Sequence, residues 1–137
     1  MRRKLLMMVV ICLIVITSMG SATASTIEPR YNEITSVNTT ISADNGSILF
    51  DVLLYVPSTT TLDSAWIDIE VRNLAGTVVG TFTGKKMTKG SLYFYYENTC
   101  DISTSGTYFF SYEIRCYKNA ILVDNPTGTS EVVSFTA

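Results

Sequence analysis

The stretch SGTYFFSYEIRCYKNAILV, residues 105–123, decides the fold because its side chains alternate in chemistry with a period of two. One phase is apolar, whereas between positions 108 and 117 every charged residue lies on the other phase. This alternation is typical of a β-strand that has one buried side and one side facing solvent. We therefore predict a strand whose core side consists of Tyr108, Phe110, Tyr112, Ile114 and Cys116.

The same period continues along the chain, and turn residues interrupt it at intervals of roughly 10 to 16 residues. In SILFDVLLYV (47–56) the even positions are apolar, and in AWIDIEVRNL (65–74) apolar and charged residues alternate. Glycines and two lysines in TVVGTFTGKKM (77–87) indicate an edge strand, because charge and glycine discourage unwanted strand pairing. These features predict an all-β antiparallel sandwich of about seven strands.

The first 24 residues have the features of a secretory signal peptide. A basic start, MRRK, precedes an apolar run at positions 5–16, and the small-residue sequence Ala22-Thr23-Ala24 follows. This pattern predicts secretion with cleavage after Ala24. The alternative, a retained membrane anchor, fits less well because a membrane helix needs about 20 apolar residues. We expect a leader at residues 1–24 and a single domain at residues 25–137.

The charge of the domain argues against nucleic acid as a partner. Three of the ten basic residues and none of the twelve acidic residues lie in the leader, so residues 25–137 carry a formal charge of −5. Nucleic-acid binding instead requires clustered Lys and Arg side chains that neutralise phosphates. Once the leader has been removed, we expect no membrane as a partner either.

Several kinds of chemistry are excluded by composition. The chain contains no histidine and three cysteines, of which Cys12 lies in the leader. Histidine-based triads and most catalytic zinc sites are therefore excluded. The sequence Asp44-Asn45-Gly46 lacks the downstream glutamate of a calcium loop and predicts a hairpin turn. We expect no enzymatic activity, no catalytic residue, and no metal or cofactor.

The turn before Tyr108 resembles the tyrosine corner of immunoglobulin-like sandwiches. In such a corner, here Gly106-Thr107-Tyr108, the tyrosine hydroxyl bonds to the backbone of the preceding connection. The resemblance implies an immunoglobulin-like sandwich in which Tyr108 begins strand F. It also implies that Phe110 replaces the cysteine of antibody domains and makes an apolar contact with Phe50 or Val52.

Three further features resemble a family of small secreted proteins of Gram-positive bacteria. They are the sequence EPRYNEI (28–34), the hairpin sequence GTYFFSYEIRCYKN (106–119) and a last strand split at Asn125-Pro126. The resemblance implies a bacterial source. It implies no particular activity, because none has been established for that family.

Cys100 and Cys116 are a candidate disulfide, because secretion exposes such pairs to oxidation. If Cys100 precedes strand F and Cys116 lies near its end, about eight to ten strand residues, or near 30 Å, separate them. A disulfide requires Cα atoms about 4.4 to 6.8 Å apart. The cysteines are therefore either bonded through a connection that folds back, or buried as unpaired thiols.

Strands C and F are antiparallel neighbours in an immunoglobulin-like sandwich, so Trp66 near the start of C is expected beside Arg115 and Tyr117 near the end of F. We call the outer surface formed by these three residues the C–F face. Exposed aromatic side chains beside an arginine are typical of binding hot spots, and a flat ring can also stack on a sugar. An ordinary solvated sheet face is the alternative interpretation. The C–F face predicts a binding module for a protein or glycan ligand at or outside the cell surface.

Two other functions stay open at this point. A secreted inhibitor or antagonist would act through the loops at residues 57–63 or 124–129. A small glycoside-directed hydrolase would use Asp68 and Glu70, which are two carboxylates on one face of a strand.

Overall fold

The computed structural model describes residues 33–137. The predicted leader, its cleavage site after Ala24 and most of the motif at residues 28–34 lie outside the described residues. Within the described part every regular element is a β-strand, and no helix there is long and apolar enough to cross a membrane.

The strands form two antiparallel sheets that pack as a sandwich. They are β1 (Ser36–Asp44), β2 (Ser47–Tyr55), β3 (Ser64–Asn73), β4 (Val78–Lys86), β5 (Thr88–Lys89), β6 (Tyr93–Asp101), β7 (Gly106–Lys118), β8 (Ile121–Asp124), β9 (Thr127–Thr129) and β10 (Val133–Phe135). The first sheet has the order β1-β2-β6-β5 and the second β10-β7-β3-β4, with β8 and β9 also paired to β7. This is the immunoglobulin-like arrangement, in which β3 and β7 take the places of strands C and F.

The predicted alternation of buried and solvent-facing residues is confirmed in the three central strands. The even positions of β2 and the apolar odd positions of β3 are buried, and Tyr112 is the only half-buried member of the predicted core side of β7. The edge position predicted for β4 is also confirmed. The residues buried on these core sides include Ile48, Phe50, Val52, Leu54, Ile67, Ile69, Val71, Tyr108, Phe110, Ile114 and Cys116.

Near the start of β7, Tyr108 bonds to the preceding connection and Phe110 packs against the first sheet. The Tyr108 hydroxyl donates a hydrogen bond of 2.6 Å to the carbonyl of Thr104, which is the bond that defines a tyrosine corner. Gly106 lies beside the same ring. Across the sandwich the Phe110 ring packs on the Phe50 ring with 5.4 Å between centroids. An aromatic contact therefore stands where antibody domains have a disulfide.

The hairpin turn predicted at Asn45-Gly46 is confirmed, with φ angles of 44° and 83° that a two-residue type I′ turn requires. The last strand differs from the prediction, because it is interrupted twice rather than once: β8, β9 and β10 pair with separate parts of β7. Leu92, which lies just before the start of β6 at Tyr93, is 48% exposed.

Cys100 and Cys116 are both buried and both free. Cys100 lies against Gly80, which pairs with Val71 near the end of β3, whereas Cys116 pairs with Ala65 near the start of that strand. Six strand residues between these positions span about 20 Å, which is far beyond disulfide reach. The candidate disulfide is therefore corrected to the alternative of two unpaired thiols. Burial raises the pKa of Cys116 to about 12, so this thiol stays protonated and unreactive.

Candidate binding face

Strands β3 and β7 bring the three residues of the C–F face together. Trp66 lies directly opposite Arg115, and Tyr117 lies opposite Ser64 in the next row of the ladder. Residues that pair in an antiparallel ladder point to the same side of the sheet, so the three side chains share the outer surface. Trp66 is 36% exposed, and Arg115 and Tyr117 are half-buried. The proximity predicted from strand order is observed.

An ion pair with Asp68 holds Arg115 in place. Its two terminal nitrogens contact the two carboxylate oxygens, with Nη1 at 2.9 Å from Oδ2 and Nη2 at 3.1 Å from Oδ1. The backbone N–H of Gly84 in β4 donates to the same carboxylate at 2.5 Å. A two-pronged contact of this kind fixes the plane of the guanidinium group. Arg115 therefore presents a fixed surface beside Trp66, and its charge is largely compensated.

The C–F face continues onto the two flanking strands. Lys86 of β4 lies directly opposite Trp66, and Leu122 of β8 lies directly opposite Tyr117; both side chains are exposed. Sequence reasoning missed Lys86 because the β3–β4 ladder contains register shifts that alternation alone does not reveal. The short turn between β7 and β8 is the signal that could have located Leu122, since turn length sets the register of a hairpin.

The carboxylates further along this outer face are already engaged. They border a shallow depression of about 420 Å³ between β3, β4 and β7. Their partners are Arg115 for Asp68, Arg72 for Glu70 and Asn125 for Glu113. A glycosidase needs one carboxyl group as acid and another as nucleophile or base, both directed at the substrate. Asp68 and Glu70 each form an ion pair with an arginine, and residues 33–137 contain no group of three or more acidic, Cys or His side chains that could hold a metal.

The loops at residues 57–63 and 124–129 are each anchored to the domain by buried side chains. In the first loop, Leu62 is buried in the core. In the second, Asp124 is buried and its carboxylate accepts the backbone N–H of Glu33 at 3.0 Å. Each loop is therefore anchored to the domain by a buried residue, although other residues of both loops are exposed.

The outer face of the first sheet carries a second set of exposed rings. Tyr55 and Tyr93 lie directly opposite each other on β2 and β6, and they are 36% and 39% exposed. The hydrogen bond from Tyr95 to Glu97 raises the pKa of Tyr95 to about 12. A depression of about 480 Å³ on the same face is bordered by none of these three tyrosines. Because strand propensity alone places tyrosine on sheets, this surface serves as the comparison for the C–F face.

Comparison with known proteins leaves the function open. No protein-family model matches the chain, and no curated protein matches it. Among the solved structures, one that matches is a candidate beta-galactosidase from Bacteroides fragilis, at 12% sequence identity and a TM-score of 0.42. The match covers 68% of this chain and 15% of that chain, so the chain corresponds to a small part of the larger protein. A likeness of this extent says nothing about activity.

Proposed function

We propose that the chain is a secreted, non-enzymatic binding module that acts at or outside the cell surface through its C–F face. A bacterial source of the small Gram-positive type that its motifs resemble is part of the proposal. The ligand is a protein or a glycan, and no cofactor takes part.

One observation carries this proposal. The indole of Trp66 is exposed on a rigid sheet, directly opposite an arginine whose guanidinium group is fixed by two contacts to Asp68. Binding hot spots are enriched in Trp, Tyr and Arg, and groups that are already ordered lose little conformational entropy when a ligand binds. The flanking Lys86 and Leu122 give the surface both a charged and an apolar border.

A capture experiment with a matched control tests the proposal. The secreted protein is immobilised and exposed to cell-surface extracts and to a glycan array, next to the double variant Trp66→Ala/Tyr117→Ala. The control is Tyr55→Ala/Tyr93→Ala, which removes two rings of similar exposure from the opposite face. We expect the first variant to lose at least about tenfold in affinity, and the control to bind like the parent protein. Equal capture by the parent and the Trp66→Ala/Tyr117→Ala variant contradicts the proposal.

The hydrolase alternative has a separate test. If Asp68 and Glu70 were catalytic, the parent protein would turn over at least one substrate in a broad panel of glycosides, and Asp68→Asn or Glu70→Gln would abolish that turnover. We expect no turnover by the parent protein. The inhibitor alternative is not favoured, because both candidate loops are fixed to the body of the domain.

A further inference from the structure

The edge strand β8 exposes three consecutive apolar side chains. Ile121 is 67% exposed, Leu122 48% and Val123 39%. Within residues 33–137, β8 pairs only with β7, so the backbone groups along its other edge have no strand partner there. An exposed apolar edge strand is a template for pairing with another strand, and proteins usually protect such edges.

The other long edge strands, β4 and β1, do not combine an unpaired edge with a run of three exposed apolar side chains. β4 carries glycines, two register shifts and the lysines Lys85 and Lys86, which would repel each other if the strand paired with a copy of itself. β1 exposes only polar side chains before its last residue: Ser36, Asn38, Thr40 and Ser42. Pairing at β1 would therefore gain little apolar contact. In β8, by contrast, no charge or proline interrupts residues 121–123.

The turn that presents β8 is fixed in an unfavourable backbone conformation. Asn119 and Ala120 have φ angles of 49° and 63°, as a type I′ hairpin requires, although Ala rarely adopts positive φ. The backbone N–H of Asn119 donates to the carboxylate of Asp63, and the N–H of Asp63 donates to the carbonyl of Tyr117 at 2.9 Å. Strained backbone held by several bonds is found where a segment must keep one orientation. The β7–β8 hairpin is therefore a rigid support for its outer edge.

We propose that β8 is a self-association strand that pairs with β8 of a second copy of the chain around a two-fold axis at Leu122. An antiparallel pair centred there places Leu122 opposite itself and Ile121 opposite Val123, so apolar residues meet apolar residues throughout. If the two-fold axis moved by one residue in either direction, Ile121 or Val123 would lie opposite a polar residue. The apolar match would then be lost. The absence of charge in this segment makes the copy itself a compatible partner.

This pairing gives the dimer one continuous sheet across both copies. Leu122 shares the outer side of the sheet with Tyr117, so the two C–F faces lie on the same surface and flank the axis. A ligand with repeated features could then contact both faces at once, which raises its apparent affinity without any new contact. Leu122 also borders the C–F face, but the proposal does not rest on the proposed ligand, because self-association is measured on the protein alone.

Sedimentation analysis of the secreted protein tests the proposal. We expect the average mass to rise toward that of a dimer as the concentration increases from about 10 µM to about 1 mM, since so small an interface is weak. Leu122→Glu places two carboxylates face to face on the axis and weakens association by about tenfold or more. The control Leu74→Glu changes a leucine that is even more exposed, 66% against 48% for Leu122, at the opposite end of the sandwich, and it associates like the parent protein. A parent protein that stays monomeric, or a Leu122→Glu variant that associates normally, overturns the proposal.

Cross-linking tests the register directly. Directly opposed residues of an antiparallel pair have Cα atoms about 4.5 to 5.5 Å apart, which suits a disulfide. Leu122→Cys is therefore expected to form a covalent dimer under mild oxidation, whereas Leu74→Cys stays largely monomeric. Equal cross-linking rates overturn the proposal. Amides of β8 that point away from β7 are unpaired in the proposed monomer, so their protection from hydrogen exchange in a monomeric protein also overturns the proposal and shows that a segment of the chain itself covers this edge.

Discussion

At the scale of single residues, the tyrosine corner offers the simplest test. Tyr108 is 3% exposed and its hydroxyl bonds to Thr104, which lies in an exposed turn. Tyr108→Phe removes that bond and leaves the Thr104 carbonyl accessible to water, so we expect a loss of about 1 kcal/mol in the free energy of unfolding. Urea denaturation measures it. Tyr55→Phe is the control, because the structure shows no hydrogen bond of the Tyr55 hydroxyl within residues 33–137, and an equal loss in both variants would contradict the role of the corner.

The two buried cysteines make a second prediction at this scale. In the folded protein at pH 8, iodoacetamide should leave Cys116 unmodified, because burial raises the pKa of its thiol and also blocks access. In denaturant without a reducing agent, Cys100 and Cys116 should both be alkylated, since both are free. Peptide mass mapping distinguishes the two states. A denatured protein that resists alkylation until it is reduced would show that a disulfide exists.

At the scale of elements, β4 approaches β6 closely at Gly80. A Cβ atom at this position would overlap the Sγ atom of Cys100. Gly80→Ala should therefore destabilise the fold by about 1 to 3 kcal/mol through overpacking. The cost should be smaller in a Cys100→Ala background, where the overlapping sulfur atom is absent. Denaturation of the four proteins of this double-mutant cycle measures the coupling free energy between the two positions. Additive effects would contradict an overlap between the added Cβ atom and the sulfur atom.

The central elements are predictable from sequence, and their edges are not. Alternation identifies the buried sides of β2, β3 and β7, because each strand faces one core and local chemistry reports that side. The resemblance to an immunoglobulin-like sandwich implies a contact of Phe110 with Phe50 or Val52, and the contact with Phe50 is observed. The pairing of Arg115 with Asp68 and the position of Lys86 depend on bulges and side-chain directions across strands distant in sequence. The interruption of the last strand at Asn125-Pro126 is predicted, whereas the second interruption, between β9 and β10, is not.

At the scale of the whole molecule, alkaline pH should destabilise the fold. The pKa of Cys116 rises from its ordinary value of 9.0 to about 12 on burial. Between these values the unfolded thiol ionises while the folded thiol stays protonated, so the free energy of unfolding falls as pH rises above about 9. Below that pH this thiol causes no pH dependence. Denaturation of Cys116→Ala between pH 8 and about 10.5 should show a shallower fall than the parent protein. An identical fall would mean that Cys116 is accessible to solvent.

The role of the C–F face is tested most directly by the fluorescence of Trp66. Because it is the only tryptophan of the chain, its emission reports on this surface alone. Titration with a captured ligand should shift the emission maximum to shorter wavelength and reduce quenching by acrylamide, as the indole becomes covered. Calorimetry on the same samples establishes that the ligand binds. Binding that leaves both the emission and the quenching of Trp66 unchanged would contradict the assignment of the C–F face.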